Sequence, residues 1–343
     1  MEILSPSSGA ENLTKNNELP SFVDESVYRH ELSVVSCRLA QIRSEISEES
    51  EAEEKIQALR EEETRLSGYA QTYRSILHPM RYLPDEILHE IFLACLEELR
   101  EMALESRYFP GSLGLNLPPW TLGRVCRRWR RVTLCHPSLW TILSLILPNP
   151  HSPTHEINEE AVRLASRLRR SGALLIDVVM VAPHSIGQND PLLSILCSHS
   201  ARWASLRLRF NSDNQLALFQ NMSMAKADMP ALHSLFLTTP GEERLHNVID
   251  VFECAPRLRH LHVGYAKENL HSALKIPWAQ ITRFCGFVSG YNVSTKDCEY
   301  LSQMPGITHL SDVLYGCRPG PEIHLAQLQS LSLAPRRCPL EPA

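Results

Sequence analysis

Pro256-Arg-Leu258-Arg-His-Leu261-His-Val263 is one of a series of related segments in the C-terminal half of this chain. Trp203-Ala-Ser-Leu206-Arg-Leu208-Arg-Phe210 and Pro230-Ala-Leu232-His-Ser-Leu235-Phe-Leu237 precede it. Trp278-Ala-Gln-Ile281-Thr-Arg-Phe284, Pro305-Gly-Ile307-Thr-His-Leu310 and Ala326-Gln-Leu328-Gln-Ser-Leu331-Ser-Leu333 follow it. In each, apolar residues alternate with polar ones, the period of a strand with one buried face. The segments recur at roughly 20–29 residues, the spacing of leucine-rich repeats. Each leaves an apolar edge that only its neighbour covers, so the units are expected to stack into an α/β solenoid. The asparagine position of regular leucine-rich repeats is mostly missing, so the repeats are degenerate. Stretches between strands, such as Leu245 to Glu253 with Val248, Ile249 and Phe252, read as returning helices.

Working back from the repeats, Leu174, Ile176 and Val178 alternate as a strand. Before it, Asn158 to Gly172 reads as a helix with Ala161, Leu164, Ala165 and Leu168 on its apolar stripe and Ser171-Gly172 as its stop. Three prolines between Leu147 and Ile157 mark a connector.

Further back lies Leu83-Pro84-Asp85-Glu86-Ile87-Leu88-His89-Glu90-Ile91-Phe92, continuing to Leu96. Pro84 stands at a helix start, where its missing N–H has no partner to lose. Asp85 and Glu86 suit the positive end of the helix dipole. Ile87, Leu88, Ile91, Phe92 and Leu96 recur at helical spacing in a stripe too wide for one small neighbour. Leu122-Gly-Arg124-Val125-Cys126-Arg127-Arg128-Trp129-Arg130-Arg131-Val132 repeats the pattern, with arginines on the flanks, and Pro137-Ser138-Leu139-Trp140 follows. Short helices with such broad apolar faces usually mark a docking surface.

In residue types and order, Leu83-Pro84-x-x-Ile87-Leu88-x-x-Ile91-Phe92, Val125-Cys126-x-x-Trp129 and Leu139-Trp140 resemble the F-box motif. The helical lead-in, Leu-Gly-Arg-Val-Cys and His-Pro-Ser-Leu-Trp are most similar to the large F-box family of mushroom-forming (basidiomycete) fungi. The chain departs from the motif in a long insert, at about 100–119, with Pro110-Gly111-Ser112-Leu113-Gly114 and Pro118-Pro119. The resemblance implies an all-α module that docks on a Skp-type adaptor within a cullin-based ubiquitin ligase. It assigns adaptor contact to Leu83, Pro84, Ile87, Leu88, Ile91, Phe92, Val125, Cys126, Trp129, Leu139 and Trp140. Read without it, these are core residues of an ordinary helical domain.

Ahead of that module, residues 1–24 are rich in Ser, Asn, Glu and Pro and read as disordered. Residues 25–78 are helix-forming. Leu32, Val35, Leu39, Ile42 and Ile46 keep one stripe, and Leu59, Leu66 and Tyr73 resume it after a glutamate-rich run. The interruption favours two helices, folded as a hairpin or kinked, which either self-associate as a coiled coil or pack on their own chain.

A chain of 343 residues buries a substantial core, and a net charge of −5 gives no whole-protein field for nucleic acid. The arginines at 124, 127, 128, 130 and 131 form the one basic cluster. They read as the solvent side of an apolar helix, open to pairing with acids on a partner. No secretory segment opens the sequence, and no apolar run is long enough for a transmembrane helix. The ten cysteines include no Cys-x-x-Cys pair, so reduced thiols in the cytoplasm or nucleus are expected. No phosphate-binding glycine loop, nucleophile elbow or His-Glu-x-x-His helix occurs. Cys197-x-His199 and His260-x-His262 lack further ligands at zinc spacing.

The expected fold class is therefore α+β and multidomain: a helical or coiled-coil N-terminus, an all-α F-box and a leucine-rich-repeat-like α/β solenoid. The expected boundaries are 1–24 disordered, 25–78 helical, 80–142 F-box, 158–334 repeats and 335–343 tail, with the array truncated or its last edge covered. The expected function is a non-catalytic ligase adaptor without cofactor or metal, recruiting a protein target. The alternatives are an assembly protein that uses the F-box without ubiquitination, and a hydrolase or metal enzyme hidden in the repeats.

Overall fold

Eight strands form one sheet, all parallel and in the order in which the chain makes them. They are β1 (Ile142–Ile146), β2 (Ile176–Ala182), β3 (Trp203–Phe210), β4 (Ser234–Thr238), β5 (His260–Gly264), β6 (Arg283–Gly286), β7 (His309–Ser311) and β8 (Ser330–Ser332). Each of the recurring segments supplies one strand, and β2 falls on the alternation at Ile176 and Val178. This computed structural model describes residues 7–16, 18–48, 53–105, 111–226, 229–238, 247–264, 273–286, 299–311 and 324–332. The expected tail at 335–343 lies outside them. The protein is α+β, and the chain divides into two compact units: 1–94 with 119–136, and 95–118 with 137–343.

In the sheet unit, register aligns one apolar residue from every strand. Leu143, Val178, Leu206, Leu235, Leu261 and Phe284 pair rung to rung, and Leu310 and Leu331 continue the line. All but Leu331 are buried; on the last strand Leu331 is 52% exposed. Each rung shields the next, and burying one such side chain contributes about 1.5–3 kcal/mol. Helices α7 (Thr154–Arg170) and α8 (Pro191–Cys197) add Leu164, Leu168, Leu192, Leu193 and Leu196 to the same core. Asp190 caps α8, accepting from the Leu192 and Leu193 N–H groups at 2.9 and 3.0 Å.

Several expectations change here. The sheet begins at Ile142, not after residue 158, because Ile142–Ile146, within the apolar run from Trp140 to Leu147, forms β1. The insert belongs to this unit. Ser112 N–H donates to the Ser144 carbonyl at 2.7 Å, Ser144 N–H donates back to Ser112 Oγ at 2.8 Å, and Leu113 is buried in the core. Ser112 thus satisfies the edge of β1 as a further strand would. On α7, Ala165 faces solvent and Arg167 takes the inner position. The Arg167 guanidinium donates to the Ser112 carbonyl at 3.2 Å and to that of Ile142. Burial lowers its pKa to about 9, which leaves it charged at neutral pH. The expected Ser171-Gly172 stop is present: Ser171 is the C-cap and Gly172 sits at φ +59°.

The described part of the expected helix from Leu245 to Glu253 is instead a bridge and turns. Ile249 N–H donates to the Ala273 carbonyl at 2.6 Å, and Lys275 N–H to that of Ile249 at 2.8 Å. Ile249, Val251 and Phe252 are buried while Val248 is 59% exposed, and the backbone hydrogen bonds of Ile249 go to another segment rather than along a helix.

The helical unit starts earlier than composition implies. Within the stretch expected to be disordered, α1 (Ser8–Asn16) is helical, with Ala10 fully buried and Leu13 packed on the same cluster. Helices α2 (Phe22–Glu48) and α3 (Glu53–Ile76) form an antiparallel hairpin, with Tyr28 stacked on Tyr73 at 5.9 Å and Arg38 paired with Glu62 at 3.2 Å. The stripe of Val35, Leu39, Ile42, Leu59, Leu66 and Tyr73 is buried inside this hairpin. It is used within the chain. Among the described residues no helix is long and apolar enough to cross a membrane.

Candidate docking site

A short 3-10 turn, Pro79–Arg81, leads into α4 (Asp85–Glu105), and α5 (Leu122–Val125) and α6 (Arg127–Cys135) follow later in the chain. His78 caps the turn, its Nδ1 accepting from the Met80 N–H at 3.2 Å. The Pro84 carbonyl then accepts from the Leu88 N–H at 3.1 Å, opening α4 as the proline position implies.

Two arginines hold this corner. Arg81 is buried and donates to the carbonyls of Leu13 at 3.0 Å and Glu18 at 3.1 Å, fastening the lead-in to the turn. Burial lowers its pKa. Arg128 donates through Nε to Asp85 Oδ1 at 2.9 Å, and to the carbonyls of Arg81 at 2.5 Å and of Leu83. Arg131 reaches the other Asp85 oxygen at 3.1 Å. The hydrogen bond from Arg128, then that from Arg131, holds the Asp85 carboxyl below its ordinary pKa against the opposing effect of burial. Arg128 therefore does not belong to a solvent side; its side chain is 17% exposed against 65% for Arg131. Sequence reading missed the roles of Arg81, Arg128 and Arg167, because nothing in a lone arginine codon position announces the carbonyls it will meet.

The motif residues sort into two stripes on α4. Leu88, Phe92 and Leu96 lie at i, i+4 and i+8 and are buried, with Phe92 against the Trp129 ring at 4.9 Å. Pro84, Ile87 and Ile91 lie at i, i+3 and i+7 on the other stripe, and Ile87 is 46% exposed and Ile91 half-buried. Leu83 and Trp129 are half-buried, and Val125 is 57% exposed. Cys126 is the N-cap of α6: its Sγ accepts from the Trp129 N–H at 3.4 Å. Leu139 and Trp140 are buried in the sheet unit, where the Arg170 guanidinium lies 4.5 Å from the Trp140 ring.

Leu88, Phe92, Leu139 and Trp140 thus offer no surface to a partner. Apolar side chains of their size gain more from their own core than from waiting for a second protein. The surface left for contact is Pro84, Ile87, Ile91, Val125 and the open edges of Leu83 and Trp129. Beside it, His89 and His136 stack at 4.3 Å, a pair no sequence pattern indicated.

Comparison with protein-family models, curated proteins and solved structures finds no match. Function therefore rests on geometry. Among the described residues no group of three or more His, Cys, Asp or Glu side chains is placed to hold a metal. His260 and His262 share one face of β5, and that face belongs to the sheet rather than to a ligand cluster.

Proposed function

We propose that this chain is a non-catalytic, substrate-recruiting F-box subunit of a Skp–cullin–F-box ubiquitin ligase, at work in the cytoplasm or nucleus. Its F-box part docks on the adaptor through the Pro84–Ile87–Ile91 stripe. Its parallel strands are a leucine-rich-repeat-like array that holds a target protein. The mechanism is proximity: tethering raises the local concentration of target lysines near the charged conjugating enzyme. No residue here acts on a bond. One observation carries the reading. An α-helix whose inner stripe is fully packed still shows isoleucines on its outer stripe, which suits helix-in-groove docking.

Ile87→Asp tests it, because the side chain is already exposed and the change leaves the packed stripe alone. Pull-down with a purified Skp-type adaptor is expected to fall at least tenfold, as for a central apolar anchor at an interface (about 1.4 kcal/mol or more). Helical circular dichroism should be unchanged. Full adaptor binding by a folded Ile87→Asp protein rejects the reading.

A further inference from the structure

The side of the sheet away from its core is basic, and the strand register shows how its groups are spaced. In one row stand Asp177, Ser205, Ser234, His260, Arg283 and His309. In the next stand Val179, Arg207, Phe236, His262, Cys285 and Ser311. Arg209 lies two residues beyond Arg207 on β3, beside Thr238. The leucines between these positions are buried, and Arg283 and His233 are exposed. Asp177 is the one acid in the rows, and the Ser205 hydroxyl donates to it at 2.6 Å. Arg209 and Arg283 form no salt bridge to a carboxylate among the described residues. Arg207 lies 3.6 Å from the Phe236 ring, with His262 on the same ring at 5.7 Å, so its guanidinium is held over the sheet.

We propose that this face binds an extended acidic peptide segment of a partner protein. Arginine forks on a half-dry sheet favour carboxylates, through charge-assisted hydrogen bonds. From β3 to β7 the patch spans four strand spacings, about 19 Å at roughly 4.8 Å each. An extended peptide covers that distance with about six residues. A nucleic acid fits less well. Single strands bind on bare aromatic platforms, and Phe236, the one phenyl ring in these rows, already has Arg207 and His262 beside it. The inference rests on the array as the target-holding surface and is independent of adaptor docking.

The test uses the full chain and three fluorescein-labelled probes read by anisotropy: a Glu-rich peptide of twelve residues, its Gln counterpart and a twelve-nucleotide oligo-dT. The Glu peptide is expected to bind, and the Gln peptide to bind at least tenfold more weakly. Arg209→Gln with Arg283→Gln should weaken the Glu peptide about tenfold, since each lost charged contact carries a few-fold effect. Both side chains sit on the outer face, and an unchanged thermal melt verifies the fold. Ile87→Asp should leave this binding intact even where adaptor binding is lost. Equal binding of the Glu and Gln peptides, no binding of the Glu peptide, tighter binding of oligo-dT, or an unaffected double variant each overturns the proposal.

Discussion

The two units hold themselves together by different means. In the sheet unit every strand pairs only with the strands before and after it in sequence, and the apolar rungs repeat that order. In the helical unit the decisive contacts bridge long loops of chain: Arg81 reaches Leu13, and Arg128 reaches Asp85 and Leu83. The first design is a sum of nearest-neighbour terms. The second adds to its buried hairpin stripe a few charged hydrogen bonds, each of which costs more to break than an average contact. Damage in the sheet should therefore spread along it and fade, whereas damage at an arginine should loosen one corner at once.

The largest effect is expected from Leu235→Ala in β4, a fully buried rung, at roughly 2–5 kcal/mol of stability. Hydrogen exchange should quicken most in β3, β4 and β5 and less toward β1 and β7. Uniform quickening across all strands breaks the nearest-neighbour picture. Next comes Arg128→Met, which keeps the aliphatic stem and leaves the Leu83 and Arg81 carbonyls without their donor. A loss of about 2 kcal/mol in urea unfolding is expected, against less than about 0.5 kcal/mol for the exposed Arg131→Met. Equal losses for the two erase the distinction between a clamp and a surface pair.

Acid acts modestly on both units. Asp85 has a lowered pKa in the folded state, so its contribution is present above about pH 4 and is lost as pH falls through the folded value. Acid unfolding should start in the helical unit, and Asp85→Asn should remove that pH dependence. On the sheet, burial and then Arg283, His233 and His309 lower the pKa of His260, whose Nδ1 lies 3.0 Å from Ser234 Oγ. His262 is the other titratable group on its strand. Because the folded state holds its pKa below the ordinary imidazole value, protonation of His260 in acid costs the fold a little. The smallest effect belongs to Leu331→Ser on the last strand, within about 0.5 kcal/mol, because that rung is already half exposed.

The strands were legible because alternation alone says which side of a strand is buried, and the recurrence of Pro-x-Leu-x-x-Leu-x-Leu says that neighbours match. β1 was not, since the run Ile142 to Leu147, apolar but for Ser144, carries no clear period to tell strand from helix. The hairpin stripe from Val35 to Tyr73 was legible for the same reason as the strands. The short helix at Ser8–Asn16 escaped, because Ala10 and Leu13 are too few to mark a periodicity and become apolar partners only once the hairpin exists. At the start of α4 the motif singled out apolar residues without saying which way they point. Phe92 is turned inward against Trp129, a partner 37 positions further along the chain.

Sequence by itself determined the parallel repeat order, the two-helix lead-in and the residues that cluster at the start of α4. Those properties depend on neighbours a few residues or one repeat away. Only tertiary structure decided that Ser112 closes the sheet edge, that Arg81, Arg128 and Arg167 serve backbone carbonyls, and that Ile87 rather than Phe92 faces out. A carbonyl's need for a donor, and a side chain's choice between two helix faces, are settled by what arrives from elsewhere in the chain.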